Sequence, residues 1–169
     1  NSDAASNGQL LSNTVTTTIE VTPVNDPPVA TDDNNTISES ATAPVTGNVI
    51  TGTSSNGTNS TSDSDPDTPV ADLKVTNIVG EEGSKAVAEA ASTIIEGRHG
   101  TLTIEADGSY SYVQHPGLEV ADGDTLTDEF TYTLSDGDAS DTAKLVITIE
   151  GVDNGVTVCR PCHAAIDKH

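Results

Sequence analysis

The sequence has few of the residues from which a large apolar core is built. Its 169 residues include no Trp, no Met, one Phe and three Tyr, and hydrophobic residues make up 33% of the chain. Burial stabilises a fold by about 25 cal/mol per Å² of apolar surface, so few large side chains contribute here. We therefore expect one domain of ordinary size with a short additional segment, and a source of stability besides the core.

Positive charge is scarce as well. Six Lys and Arg stand against 27 Asp and Glu, for a formal net charge of −21 at pH 7. A surface of this sign repels a phosphate backbone, which excludes nucleic acid as a partner. The carboxylates also repel one another in the folded state unless cations offset them. Calcium or high salt would do so, and both indicate an extracellular protein.

Several functional signatures are missing from the chain. It has no run of roughly 18 to 20 apolar residues, no cationic and apolar leader, and no initiator Met. We expect no membrane span, and we interpret the chain as a mature or excised segment. Neither G-x-S-x-G nor H-E-x-x-H occurs. The sequence therefore predicts a protein that is not an enzyme.

What the chain does contain is the period-two alternation of half-buried strands. Residues 14–26 (TVTTTIEVTPVND) and 142–154 (TAKLVITIEGVDN) share this pattern and the letters TIE. Strand-like runs lie between them, separated by turns such as ADGS, ADGD and SDGD, and one Ala-rich stretch favours a turn or two of helix. The runs are 43–51, 72–80, 101–105, 109–114 and 128–135, and the helical stretch is 84–92. About seven short strands with Asp-Gly turns predict an all-β sandwich.

Long stretches of the chain also carry a family resemblance. Residues 97–117 (GRHGTLTIEADGSYSYVQHPG) and 128–154 resemble the VCBS repeat of bacterial surface proteins. Residues 21–50 and 62–78 (SDSDPDTPVADLKVTNI) resemble the bacterial cadherin-like repeats of the same adhesins. The resemblance implies a Greek-key, Ig-like β-sandwich, stiffened by calcium, exported and displayed on a cell surface.

The resemblance divides the chain into three parts: residues 1–26, a sandwich at 27–154 and a tail at 155–169. The first part matches the end of a preceding repeat, although the sandwich already has its own closing strand. This extra N-terminal strand over about 13–22 either belongs to a tandem array or pairs with the sheet edge of a neighbouring copy.

The segment DSDPD places three carboxylates, Asp63, Asp65 and Asp67, at alternate positions. This is the beginning of an oxygen cage for a hard cation, although Thr and Lys stand where an EF-hand loop needs Gly and Glu. The resemblance puts such a segment near a structural calcium site between domains. The further ligands that it implies are Asp26, Glu39 and Asp136. The alternative is a solvated acidic loop.

Both cysteines lie in the segment CRPCH near the C-terminus. Thiols three positions apart can form thioethers to the two vinyl groups of one haem, and the adjacent imidazole then ligates the iron. Cys159, Cys162 and His163 fill these roles and predict covalent haem c. A structural zinc site falls short of four ligands, a redox disulfide lacks its βαβ context, and a simple terminal disulfide needs no His.

His169 is a candidate for the sixth ligand of a haem. It follows His163 by six residues and would have to pass around the haem edge to reach the far face, so we expect it to ligate a neighbour's haem. His99 and His115 lie beside turns and are interpreted as surface histidines.

Three functional hypotheses follow from the sequence, and the third is a domain of a larger redox enzyme in which this module only anchors or spaces. The first is an extracellular monohaem c-type cytochrome that passes electrons between copies of itself in a surface assembly or filament, with a further redox partner. The alternative is a calcium-dependent adhesin repeat whose tail forms a disulfide or metal clip.

Overall fold

The computed structural model describes residues 16–56 and 60–153. Within these ranges the chain forms ten β-strands and no α-helix. The strands are β1 (Asp33–Ser38), β2 (Val45–Asn48), β3 (Thr53–Ser54), β4 (Lys74–Gly80), β5 (Gly83–Ala86), β6 (Thr93–Glu96), β7 (Gly100–Ile104), β8 (Ser109–Gln114), β9 (Thr125–Ser135) and β10 (Ser140–Glu150). No helix in the described ranges is long and apolar enough to cross a bilayer.

The strands form two five-stranded sheets that pack as a sandwich. One sheet has the order β1-β10-β9-β4-β5 and the other the order β3-β2-β8-β7-β6. β1 pairs with β10 in parallel, and the remaining pairs are antiparallel. The chain changes sheets four times, between β1 and β2, between β3 and β4, between β5 and β6, and between β8 and β9. The predicted all-β, cadherin-like sandwich is therefore confirmed.

The few aromatic side chains are concentrated in the core. Phe130 and all three tyrosines are buried between the sheets, and the Tyr112 ring meets that of Phe130 edge-on, with 6.2 Å between centroids. In β10 the inward positions are Leu145, Ile147 and Ile149, as the alternation predicts. The scarcity of large residues is thus offset by placing each of them where it is fully buried.

The predicted helix at residues 84–92 is wrong. Gly83 adopts a φ of 100°, which reverses the chain after β4, and β5 then pairs with β4 so that Lys85 lies opposite Ile78. Val87, which follows β5, is buried in the core. Ala and Glu favour a helix only weakly, and the pairing and burial available to this hairpin override that preference.

Residues 16–22, the described part of the predicted extra N-terminal strand, join neither sheet of their own sandwich. Residues 16–28 form no strand in the described chain. Ile19, Val21 and Val24 are each about 80% exposed. The similar sequence at 142–154 forms most of β10, which already occupies the position between β1 and β9. The segment therefore has no place in the sandwich of its own chain.

The parallel pairing of β1 with β10 gives the sandwich two distinct ends. At the N-terminal pole both strands begin, β9 ends, and the chain enters from residues 16–32. At the C-terminal pole both strands end, and Glu39 N donates to Glu150 O. Gln114, at the end of β8, donates from its side-chain amide to the carbonyls of Glu39 and Ala41. The open end of the β7–β8 hairpin therefore lies at this same pole.

Candidate functional site

Most of the predicted calcium ligands meet at the N-terminal pole. An isolated bridge between Val29 and Ser64 aligns the entering chain with the DSDPD loop. The backbone N–H of Asp26 then donates to Asp67 Oδ2 at 2.7 Å. Asn25 Nδ2 donates to Asp136 Oδ2 at 2.9 Å. These two hydrogen bonds link the entering segment to the DSDPD loop and to the β9–β10 turn.

Asp65 holds the DSDPD loop in its turn. Its Oδ1 accepts the backbone N–H groups of Asp67 and Thr68, at 2.8 and 2.6 Å. Its Oδ2 is buried and has no hydrogen-bond partner in the described structure. A buried carboxylate oxygen without a donor costs free energy unless a cation or water satisfies it.

Asp63 lies deeper, beside Asp33 and Tyr132. The two aspartates are 1% and 2% exposed. The Tyr132 hydroxyl lies 3.1 and 3.2 Å from the two Asp63 oxygens, 3.2 Å from Asp33 Oδ2 and 2.9 Å from Thr31 O. A hydroxyl carries one hydrogen, so four acceptor atoms compete for it. Asp63 Oδ1 also accepts the Thr31 N–H at 2.8 Å and lies 3.2 Å from the Thr31 hydroxyl, which donates more closely to Thr61 O at 2.6 Å.

The charges at this pole are poorly compensated. Burial raises the pKa of Asp33 to about 7, and the neighbouring charges of Asp63 and Asp32 act in the same direction. Burial also raises the pKa of Asp63. Burial and both carboxylates raise the pKa of Tyr132, so its hydroxyl remains a donor. Among the described residues no Lys or Arg pairs with these aspartates.

Asp136 differs from the deeper pair because it is only partly buried and is well supplied with donors. Its Oδ1 accepts the N–H groups of Asp138 and Ala139 in the β9–β10 turn. The bond from Ala139 is the main reason that its pKa is lowered, and the bond from Asn25 adds to the effect. Asp136 is therefore ionised and faces the entering chain.

Glu39 is not part of this group. Its Oε2 accepts the backbone N–H of Val120, and it follows the end of β1 at the C-terminal pole. The six residues of β1 separate it from Asp33 by about 20 Å. The structure therefore assembles the predicted carboxylates Asp26, Asp63, Asp65, Asp67 and Asp136 at one pole and leaves Glu39 at the other.

The donor set at the N-terminal pole fits calcium in its chemistry. In residues 16–56 and 60–153 no three His, Cys, Asp or Glu side chains already converge to hold a metal ion. Calcium, however, also takes backbone carbonyls and waters among its six to eight oxygen ligands. The donor-free Asp65 Oδ2 and the surplus of acceptors around Tyr132 are the features that a hard cation would satisfy.

A second polar group, which the sequence interpretation missed, lies at the C-terminal pole. Asp128 of β9 is 2% exposed. It accepts the backbone N–H of His99 at 3.0 Å, lies 2.8 Å from His99 Nδ1, and accepts the Tyr112 hydroxyl at 2.7 Å. A Cβ on Gly97 would lie 2.3 Å from Asp128 Oδ2, so only glycine lets this turn approach the carboxylate.

His99 is therefore not the surface histidine that was expected, since its side chain is 17% exposed. A signal was present in the sequence. Asp128 occupies an inward position of a strand whose next inward residues are Phe130, Tyr132 and Leu134. A carboxylate in that register must be buried, and a buried carboxylate needs a partner.

His115 lies opposite His99 at the open end of the β7–β8 hairpin, and its backbone N–H donates to the His99 carbonyl at 2.8 Å. Its Nε2 lies 3.2 Å from Glu96 Oε2, which also accepts the Thr101 hydroxyl. The bond with His115 is the main cause of a lowered pKa at Glu96. Both partners are about 40% exposed, which agrees with a surface histidine.

The predicted haem ligands Cys159, Cys162, His163 and His169 lie outside the described residues. The described chain leaves the C-terminal pole after Glu150, where Gly151 N donates to Asp124 O at 3.0 Å. It can be followed to Asp153. Covalent haem therefore stays a prediction.

Comparison with known proteins agrees with the fold. The family model of the bacterial cadherin-like domain matches residues 25–151. A search of curated proteins finds no match. The matched range includes all ten strands, the aspartates of the N-terminal pole and the His99–Asp128 pair. The chain belongs to the bacterial cadherin-like domain family.

Proposed function

We propose that this chain is a non-enzymatic, calcium-dependent module of a bacterial surface protein, acting as an adhesive or spacing unit outside the cell. The observation that carries the proposal is the N-terminal pole, where the buried Asp33 and Asp63 compete for one Tyr132 hydroxyl hydrogen. Family membership and the net charge of −21 support the same conclusion.

Calcium at this pole would act mechanically. The carboxylates come from the entering segment, from the DSDPD loop and from the β9–β10 turn, which meet through Asp26, Asp67 and Asp136. An ion shared by them would fix the direction in which the preceding chain joins the sandwich. Because it binds the folded state, it would also stabilise that state by mass action.

Thermal unfolding with calcium, with magnesium and with a chelator tests this proposal. We expect calcium to raise the midpoint of the wild type, and the rise to be lost in the Asp65→Asn, Asp67→Asn double variant. Asp122→Asn is the matched control, since it removes one exposed carboxylate near the start of β9 at the opposite pole. If the thermal unfolding midpoint of the wild type is the same with and without calcium, the proposal is contradicted.

A second function, extracellular electron transfer through a covalent haem, is supported by the CRPCH segment. The only two cysteines of the chain occur there at haem-attachment spacing, followed at once by His163. Haem supplies the one-electron chemistry, while Cys159 and Cys162 would attach it and His163 would ligate its iron. The competing hypothesis for the same residues is a disulfide or metal clip.

Expression with a c-type cytochrome maturation system separates these alternatives. We expect a Soret band that survives denaturation and an intact mass increased by one haem. Loss of both in Cys159→Ser, Cys162→Ser, with the fold retained, is the control. A colourless protein of unmodified mass, or one lighter by two hydrogens, favours the clip.

Electron transfer between subunits would also require self-association, for which residues 16–24 are the candidate segment. Their side chains Ile19, Val21 and Val24 are exposed in the single chain, although the sequence alternates like that of β10. Pairing with a sheet edge of another copy would cover them.

A further inference from the structure

We propose that the peptide bond between Asp65 and Pro66 breaks spontaneously when no cation occupies the DSDPD loop, with the Asp65 carboxylate as the nucleophile. The attacking group and the carbonyl that it attacks belong to one residue, so the cleavage needs no partner molecule other than water. Protection by calcium rests on the calcium-dependent function proposed above, whereas the bond breaking itself does not.

The bond that breaks is of a labile type. Pro66 is joined to Asp65 through a tertiary amide, whose nitrogen carries no hydrogen. Such a nitrogen is more basic than that of an ordinary peptide bond, so it takes up a proton and departs more readily. Pro66 is exposed, and water therefore reaches this nitrogen from the solvent.

The Asp65 carboxylate is held across this bond. Its Oδ1 accepts the backbone N–H of Asp67 at 2.8 Å and that of Thr68 at 2.6 Å. Both donors lie beyond Pro66 in the chain, so the side chain is folded forward over its own carbonyl group. Attack by Oδ2 on the carbonyl carbon closes a five-membered ring. Holding two reacting groups together in this way greatly raises their effective concentration.

The second oxygen of this carboxylate is not engaged. Asp65 Oδ2 is buried and has no hydrogen-bond partner within residues 16–56 and 60–153. Hydrogen bonds to a carboxylate oxygen stabilise its charge, and burial without a donor removes that stabilisation. Because both N–H groups bind Oδ1, the loop leaves Oδ2 available as the nucleophile.

The reaction consumes one water molecule. Oδ2 forms a bond to the Asp65 carbonyl carbon, and the bond from that carbon to the Pro66 nitrogen breaks. The departing nitrogen takes a proton from water, and the remaining hydroxide opens the cyclic anhydride into two carboxyl groups. One carboxyl proton then passes to the Pro66 amine. Asp65 becomes a C-terminus and Pro66 an N-terminus, with no oxidation or reduction.

The products should stay associated in the native state. Cleavage separates residues 1–65, which contain β1, β2 and β3, from residues 66–169, which contain the other seven strands. β1 pairs with β10 and β2 pairs with β8, so both sheets hold the two pieces together. The cut therefore has to be detected under denaturing conditions.

The bond between Asp26 and Pro27 provides an internal contrast, because it is of the same chemical type. Asp26 is exposed, and its contact with the loop is made by its backbone N–H, which donates to Asp67 Oδ2 at 2.7 Å. No hydrogen bond in the described chain holds the Asp26 side chain across its own peptide bond. We therefore expect cleavage after Asp65 and not after Asp26.

Incubation of the full-length chain at neutral pH, followed by intact-mass measurement under denaturing conditions, tests the proposal. With a chelator we expect two products, residues 1–65 and 66–169, whose masses add up to that of the chain plus one water. Calcium at about 100 times its Kd leaves about 1% of the loop unoccupied, so it should slow the cleavage about 100-fold.

Two variants separate the roles of the nucleophile and the leaving group. Asp65→Glu keeps a carboxylate but requires a six-membered ring, and Pro66→Ala keeps Asp65 but replaces the tertiary amide. We expect both to remain intact with a chelator. Pro27→Ala is the matched control and should be cleaved like the wild type. Pro66→Ala changes an exposed loop residue, so it serves if Asp65→Glu fails to fold.

The other outcomes contradict the proposal in distinguishable ways. A wild-type chain that stays intact with a chelator overturns it, and so does cleavage that continues in Pro66→Ala and Asp65→Glu or that occurs after Asp26. Calcium that raises the unfolding midpoint without slowing the cleavage overturns the protective role alone. Cleavage after Asp65 with no response to calcium in either measurement supports the bond breaking but contradicts the calcium-dependent function.

Discussion

Both poles of the sandwich bury carboxylates, but they satisfy them differently. At the C-terminal pole Asp128 interacts with a hydroxyl, a backbone N–H and an imidazole that can carry positive charge. At the N-terminal pole Asp33 and Asp63 share one tyrosine hydroxyl, and no Lys or Arg of the described chain pairs with them. Asp128 is thus matched by donors of the described chain, whereas burial raises the pKa of both Asp33 and Asp63.

This difference separates a carboxylate that the described chain satisfies from carboxylates that a bound cation would stabilise. A buried carboxylate with enough donors contributes to a unique fold, and removal of one partner is costly. A buried carboxylate with too few donors is instead stabilised by whatever supplies positive charge. The predictions below test the two poles against each other.

The largest effect is expected when Asp128 is removed. Asp128→Ala leaves the Tyr112 hydroxyl and the His99 donors buried without an acceptor, so we expect the free energy of unfolding to fall by about 3–5 kcal/mol. Urea denaturation measures the change. Glu96→Ala, which removes the half-exposed partner of His115, is the control and should cost much less, because solvent screens an exposed pair. Equal losses in the two variants would show that the buried network is not special.

The next effect concerns pH at the N-terminal pole. Because burial raises the pKa of Asp33 from 3.8 to about 7, the folded state binds a proton more tightly than the unfolded state. The resulting stabilisation is present below about pH 4 and is lost as pH rises through about 7, with a size on the order of 4 kcal/mol. With a chelator present, we expect stability to fall over this window more steeply in wild type than in Asp33→Asn.

Calcium should reverse the trend, since it favours the ionised carboxylates. The midpoint gained on adding calcium should therefore be larger at pH 8 than at pH 5. Parallel pH profiles of wild type and Asp33→Asn, with and without calcium, would contradict this account of the pole.

A smaller effect is expected when Tyr132 loses its hydroxyl. Tyr132→Phe leaves Thr31 O and the two aspartates without their shared donor, and we expect a loss of about 1–2 kcal/mol in the absence of calcium. The control is Tyr110→Phe, which removes a buried hydroxyl bonded to Asn35 and to neither aspartate. Calcium should recover stability in Tyr132→Phe but not in Tyr110→Phe, as measured by thermal unfolding. Equal recovery in both would place the ion elsewhere.

The strands that the sequence predicted are those in which every second residue is apolar and buried. Leu145, Ile147 and Ile149 in β10 show the pattern directly. β1 was missed because its inward residues include Asp33 and Asn35, so its alternation is hidden by polar side chains. Those polar residues are buried because partners from distant segments, such as Tyr110 and Tyr132, reach them. Contacts of this kind are not visible in a local pattern.

The candidate site divides in the same way. The spacing of Asp63, Asp65 and Asp67 indicated an oxygen-rich loop, and the family resemblance implied Asp26 and Asp136. In the structure the Asp26 N–H donates to Asp67 and the Asn25 amide donates to Asp136. Sequence spacing could not exclude Glu39 from the predicted calcium ligands. Its distance from the DSDPD loop depends on β1, which runs from one pole of the sandwich to the other. The pairing of His99 with Asp128 depends on two sheets packing together, which only the three-dimensional fold specifies.

The smallest effect on stability is expected from deletion of residues 1–24, which should change the free energy of unfolding by less than about 0.5 kcal/mol. Ile19, Val21 and Val24 are about 80% exposed and contribute little to the core of their own chain. Residues 25 and 26, which hold Asp136 and Asp67, remain in the shortened protein, so its calcium response should also remain.

The same deletion should have a large effect on association. If residues 16–24 pair with a sheet edge of another copy, the shortened chain sediments as a monomer while the full chain forms larger species. Ile19→Ser, Val21→Ser in the full-length chain is the matched variant, since it keeps the backbone of the segment but removes its apolar face. Association that survives both changes would show that the contact between copies lies elsewhere. A deletion that unfolds the sandwich would show that the segment belongs to it.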